Sequence, residues 1–179
     1  MIPLILVSTW MWALIVDRAL YFRRIAKDDV DLEQAVEMLS GTPLPKTSNG
    51  LRAQVVASFL KERTGNKKLD QDILDQCAMQ EMSPLRRYLS VIAVLAAVAP
   101  LFGLLGTVTG MMTTFNVIAL FGTGNAKAMA GGISEALITT QSGLLVAIPG
   151  LFMSAFLTRR ANRLKNHLNE VVMTLKRYV

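Results

Sequence analysis

At 179 residues the chain has the length of one soluble domain, but 52% of it is hydrophobic, and those residues are gathered in blocks rather than spaced at core-like intervals. The formal charge of +6 invites a nucleic-acid reading that the charge positions exclude. Twelve Lys and Arg lie between Arg18 and Arg87, one is Lys127, and six lie from Arg159 onward, which is the flanking pattern of a multi-span membrane protein.

The first block, Met1 to Val16, ends at Asp17-Arg18. It completes a span over residues 1–22 if the aliphatic stem of Arg18 snorkels. It has no basic residue before the apolar run and no small-residue cleavage site after it, so a retained anchor is expected rather than a signal peptide. Residues 23–87 read as a cytoplasmic helical segment. In it Asp28 or Asp29 can cap a helix whose apolar stripe is Val30, Leu32, Val36 and Leu39, and Gly41–Gly50 is a loop by composition. Leu51 to Arg63 has helical apolar spacing, and Thr64-Gly65-Asn66 breaks it.

From Leu69 a helical pattern enters the second block with only Pro84 to interrupt it, which predicts one kinked helix from about Asp70 to about Leu120. Its membrane part is 88–121. Residues 122–127 form a short periplasmic turn, 128–158 the third span, and 159–179 a cytoplasmic helix with a seam of Leu164, Leu168, Val171, Leu175 and Tyr178. The fold class is therefore all-α, with three transmembrane helices of which the second and third continue into the cytoplasm. The N-terminus is expected in the periplasm and the C-terminus in the cytoplasm, where a basic belt attracts anionic lipids at roughly 1 kcal/mol per residue.

One acidic side chain, Glu135, falls inside the apolar stretch from Pro100 to Phe156. A charge at mid-bilayer depth costs at least about 2.5–3.5 kcal/mol, so such a residue is a functional candidate. Thr139 and Ser142 follow on its helix face, and this set can pass a proton along hydroxyls; alternatively, a protonated Glu135 ties helices together. In the second block Gly103, Gly106, Gly110 and Thr114 share a stripe, with Thr107 beside it. Close helix packing accounts for the glycines, and the threonines either bond their own backbone or line a pore. The lone Cys77 reads as a packing residue and His167 as a surface one. No metal-ligand set, cofactor motif or nucleophile–base pair is visible, so neither a metal, nor a cofactor, nor an enzymatic activity is expected.

The segments APLFGLLGTVTGMMTTF (Ala99–Phe115), GGISEALITT (Gly131–Thr140) and GLLVAIPGL (Gly143–Leu151), with the opening PLILVSTWMWALIVDRALYFRR, resemble the MotA/TolQ/ExbB proton-channel family, closest to its ExbB/TolQ branch. The resemblance implies a bacterial inner-membrane subunit that forms a homopentamer around a single-span ExbD/TolR-type partner. Proton flow would then drive work on a TonB-type transducer for outer-membrane nutrient import. A TolQ-like role acting on a TolA-type transducer is the near alternative. By motif match Thr107 and Thr140 correspond to polar pore-lining positions and Glu135 to the family glutamate. Gln141-Ser142 departs from the pattern of many relatives, adding polar groups that alter either hydration or helix packing. A passive scaffold that moves no protons is the rival from another class, and a solute transporter fits less well because no inverted repeat is present.

Overall fold

The computed structural model describes residues 2–27 and 50–177. The cap and stripe expected over 28–39 and the Gly41–Gly50 loop, apart from its last residue, fall outside these, as does Tyr178. Among the described residues there are five α-helices and one short 3₁₀ turn, with no strand. They are α1 (Ile2–Lys27), α2 (Leu51–Glu62), α3 (Lys67–Arg86), α4 (Leu89–Phe121), the turn Gly122–Gly124, and α5 (Ala126–Leu175). Three stretches, Ile2–Ile25, Lys67–Gly124 and Ala126–Leu175, are long and apolar enough to cross a membrane.

The chain divides into two compact units, and α1 and α5 each supply residues to both. One unit comprises Met1–Val16 and Tyr88–Phe156. Leu4, Met11 and Ile15 of α1, Ile92, Ala96 and Ala99 of α4, and Ala136 and Ala147 of α5 are buried in it. Leu4, Ala99 and Ala147 form a shared cluster flanked by Phe102 and Val146. The turn between α4 and α5 begins at Gly122, whose φ of 65° suits a residue without a Cβ. Asn125 then accepts the Ala128 N–H through Oδ1 at 3.1 Å, satisfying a donor that the helix start leaves unpaired.

The other unit comprises Asp17–Arg87 and Leu157–Val179. The largest fully buried residues here include Phe22, Phe59, Leu74, Leu85, Leu168 and Leu175. The expected helix at Leu51 is present, and Thr64–Asn66 breaks the chain before α3. Asp70 is buried and accepts the Thr64 N–H (2.8 Å), the Thr64 hydroxyl (2.9 Å) and the Gly65 N–H (3.0 Å), while Gly65 takes φ 83°. These bonds, led by that from the Thr64 N–H, hold the carboxyl below its ordinary range. Cys77 is buried, and burial pushes its thiol up. The C-terminal part of α5 packs on this unit through Leu168, Val171 and Leu175 of the expected seam. Lys176 closes it, with Nζ 2.6 Å from Asp75 Oδ2 and its carbonyl accepting Gln71 Nε2 at 3.2 Å.

The expectation of one helix from Asp70 to Leu120 is corrected at a single point. Pro84 lies within α3, but the ladder stops after Arg86, and Tyr88 adopts a left-handed conformation (φ 64°, ψ −5°) before α4 starts. A residue with a Cβ pays roughly 1–2 kcal/mol for that conformation. The Pro84 carbonyl, freed at the helix end, accepts both the Arg87 N–H (3.3 Å) and Arg18 Nη1 (3.1 Å). Arg18 is itself buried, is paired with Asp17 at 3.1 Å, and lies 4.9 Å from the Tyr21 ring centroid, so a guanidinium on α1 caps the C-terminus of α3.

Candidate functional site

Small residues set the distance between α4 and α5. A Cβ on Gly110 would lie 2.8 Å from the Ala136 Cβ, and one on Gly106 would lie 2.5 Å from the Thr139 Cβ. At Gly103 it would lie 3.2 Å from the Thr139 carbonyl oxygen and the Thr140 Cα, and at Gly143 3.0 Å from the Ala99 carbonyl oxygen. The register is antiparallel: Thr114 is beside Gly132, Gly110 beside Ala136, and Gly103 beside Gly143. Without water to expel, helices in lipid associate through close backbone approach, and this seam is made for it. Thr114 is buried in it and donates to the Gly110 carbonyl at 3.1 Å.

The polar residues singled out from the sequence separate onto two flanks of this pair. Thr140 sits at the seam, its hydroxyl 3.4 Å from the carbonyl oxygens of both Gly103 and Ala136. Thr107 donates to the Leu104 carbonyl at 2.6 Å. Glu135 is about 140° around α5 from Thr140 at 100° per residue, and it shares the opposite flank with Ser142. Thr139, which donates to the Glu135 carbonyl (3.1 Å) and the Ala136 carbonyl (2.8 Å), lies between that flank and Gly106. Ser142 donates to the Ile138 carbonyl at 2.8 Å. The Glu135 side chain is exposed on α5 and has no hydrogen-bond or ion-pair partner among the described residues.

Helix α1 identifies the flank. Its Pro3 and Leu4 form a small groove of about 150 Å³ with Phe102, Leu105, Thr109 and Thr139. Leu4, Ile5, Ser8 and Thr9 border a larger groove of about 460 Å³ with Gln141, Ser142, Leu145 and Val146. Glu135 therefore lies on the α1 flank, one turn nearer the Gly122–Gly124 turn than Thr139. On α4, Thr107 lies about 160° from Thr109 and so on the other flank, the one toward which Thr140 is turned. Sequence reading missed Thr109, Thr113 and Asn116, which are exposed on α4, and Ser8 and Thr9 on α1. Thr113 donates to the Thr109 carbonyl at 3.1 Å and Thr109 to the Gly106 carbonyl at 3.0 Å. The available signal was their spacing, 109–113–116, which repeats the i, i+4, i+7 pattern used for Glu135, Thr139 and Ser142.

Among the described residues no group of three His, Cys, Asp or Glu side chains is placed to hold a metal. The chemistry on offer is that of one carboxylate and a set of hydroxyls on helices able to cross a membrane.

Comparison with known proteins identifies the family. The chain is 30% identical to the biopolymer transport protein ExbB of Salmonella typhimurium, over 96% of this chain and 76% of that protein. It is 28% identical to the Neisseria gonorrhoeae protein of the same name, over 96% and 86%. It is also 34% identical to a putative biopolymer transport protein ExbB-like 1 of Synechocystis, over 86% and 64%. Residues 47–170 match the MotA/TolQ/ExbB proton channel family as a whole, and the chain belongs to that family.

Proposed function

We propose that the protein is the membrane subunit of a proton-driven energy transducer in the bacterial inner membrane. With a single-span ExbD/TolR-type partner and as a homo-oligomer, a pentamer by family resemblance, it converts proton flow into work on a TonB-type transducer. The observation that carries this reading is Glu135, a carboxylate exposed on an apolar helix with no partner among the described residues. Isolated charge at that depth is costly and is kept where protons or ions move. Support for the ExbB-type role over the TolQ-type comes from the names of the relatives cited above.

The division of labour follows from the two flanks. Thr107 and Thr140 present hydroxyls on one flank and fit a lumen that receives the partner's helix. Glu135, on the other, tunes or gates that path from a helix interface. The basic residues Arg86 and Arg87 precede the apolar part of α4, and Arg159 and Arg160 follow that of α5, in each case at the end remote from the Gly122–Gly124 turn. That end is therefore assigned to the cytoplasm, and the turn to the periplasm. Each charge crossing 100 mV releases about 2.3 kcal/mol, so a few per stroke suffice to repack helices.

The test is Glu135→Gln, which keeps size and hydrogen bonding and removes titration. Complexes carrying it should assemble normally and lose most proton-motive-force-dependent uptake through TonB-dependent outer-membrane receptors. Uptake at the unsubstituted rate would instead support a passive scaffold.

A further inference from the structure

The α1 flank of the α4–α5 pair carries more hydrogen-bonding groups than hydrocarbon can satisfy. Gln141 is exposed on α5 at the larger groove, and its amide has no partner among the described residues. It lies about 22 Å along the helix from Ala126, inside a hydrocarbon layer about 30 Å thick. An unpaired amide in an apolar medium costs roughly 1–3 kcal/mol by mutational measures. Around it, Thr9 and Ser142 each donate to a carbonyl of their own helix at 2.8 Å, leaving hydroxyl lone pairs to face the groove. Thr109 and Thr139 line the smaller groove in the same way, Leu4 borders both, and Glu135 lies one turn beyond.

We infer that these grooves are one water-filled crevice, open toward the Gly122–Gly124 turn, reaching past mid-membrane to Leu145 and Val146, and hydrating Glu135. The chemistry selects water over a neighbouring helix. The hydroxyls offer acceptors and the Gln141 amide offers two donors, which a small molecule with both functions bridges. An incoming helix has its backbone groups already satisfied and would need a matching polar side chain at every level. At about 30 Å³ per molecule the two volumes together hold on the order of twenty waters, and buried water needs the two to four polar partners found here. The crevice gives Glu135 access to bulk water on the flank opposite Thr107 and Thr140. That use rests on the proton-handling role, whereas the presence of water does not.

The test is thiol accessibility in the complex purified from membranes and reconstituted in vesicles, with Cys77→Ser as background. Ser142→Cys and Ser8→Cys are near-isosteric probes, and Ile148→Cys, exposed on α5 among apolar neighbours, is the lipid-facing control. A charged, membrane-impermeant methanethiosulfonate applied from the turn side should modify the two probes about tenfold or more faster than the control, because the reacting thiolate forms only where water solvates it. Adding Gln141→Leu should slow the reaction at Ser142→Cys several-fold. Probe rates equal to that of Ile148→Cys overturn the crevice, whether lipid or a helix fills the groove. Neither readout involves proton transport, so a neutral Glu135→Gln result and a dry crevice are separate failures.

Discussion

The two compact units are both helical, yet the α4–α5 seam of one is closed by small residues, whereas large side chains fill much of the other. In the unit containing α4, small residues (Ala99, Gly103, Gly110, Ala136 and Gly143) make the α4–α5 seam, and Met11, Ile15 and Ile92 are buried beside α1, while Leu101, Leu104, Leu145 and Phe152 point outward. In the unit containing α2 and α3, Phe22, Phe59, Leu74, Leu85 and Leu168 are inside, and the ion pair of Lys176 with Asp75 is partly exposed. The difference is one of solvent. Water drives large apolar side chains together, whereas lipid gives them no reason to leave its tails, so what remains to optimise is backbone approach.

The comparison predicts a crossed result. Phe59→Ala should destabilise its unit by about 3–5 kcal/mol, whereas Leu104→Ala, which removes a side chain of similar size from an exposed position, should change little. Gly110→Val should cost about 1–3 kcal/mol by forcing the α4–α5 seam apart. Thermal unfolding of the detergent-solubilised protein checks all three, and a large loss for Leu104→Ala would break the contrast.

Asp70 sharpens it next, because only the second unit holds a buried carboxylate in a net of hydrogen bonds. Its folded pKa lies below the ordinary value of 3.8, so its contribution is fully present above that value. It is lost as pH falls through the lower, folded value. Asp70→Asn should therefore lower the stability of the second unit at neutral pH and flatten its acid limb, as followed by proteolysis near Thr64–Asn66. The smallest loss expected within the second unit belongs to Lys176→Ala, about 0.2–1 kcal/mol and weaker in high salt, since the pair with Asp75 is partly solvated.

Much of the apolar unit was legible because its signals are local. Glycine spacing gave the stripe on α4, and Phe121-Gly-Thr-Gly-Asn125 gave the turn. The 140° between Glu135 and Thr140 followed from helix geometry alone. Which flank α1 covers was not legible, since outside the small-residue stripe that meets α5 the surface of α4 is apolar all round. For that reason Thr109 and Gln141 acquired meaning only beside Ser8 and Thr9. The break after Arg86 was also hidden. Arg87-Tyr88 contains neither Gly nor Pro, and its left-handed turn coincides with a long-range bond from Arg18 to the Pro84 carbonyl. The family match likewise begins at residue 47, inside the stretch where no motif was apparent.

That break has a mechanical consequence. A hydrogen-bonded helix is a stiff rod, and α5 is helical without interruption from Ala126 to Leu175. Pro149 lies within it and leaves one rung of the ladder unmade. The α3–α4 segment is not one rod but two, because no helical ladder runs through Tyr88. Of the two helical lines that lead from the carboxylate and threonines toward the basic end, α5 is one continuous piece and the other is spliced at Tyr88.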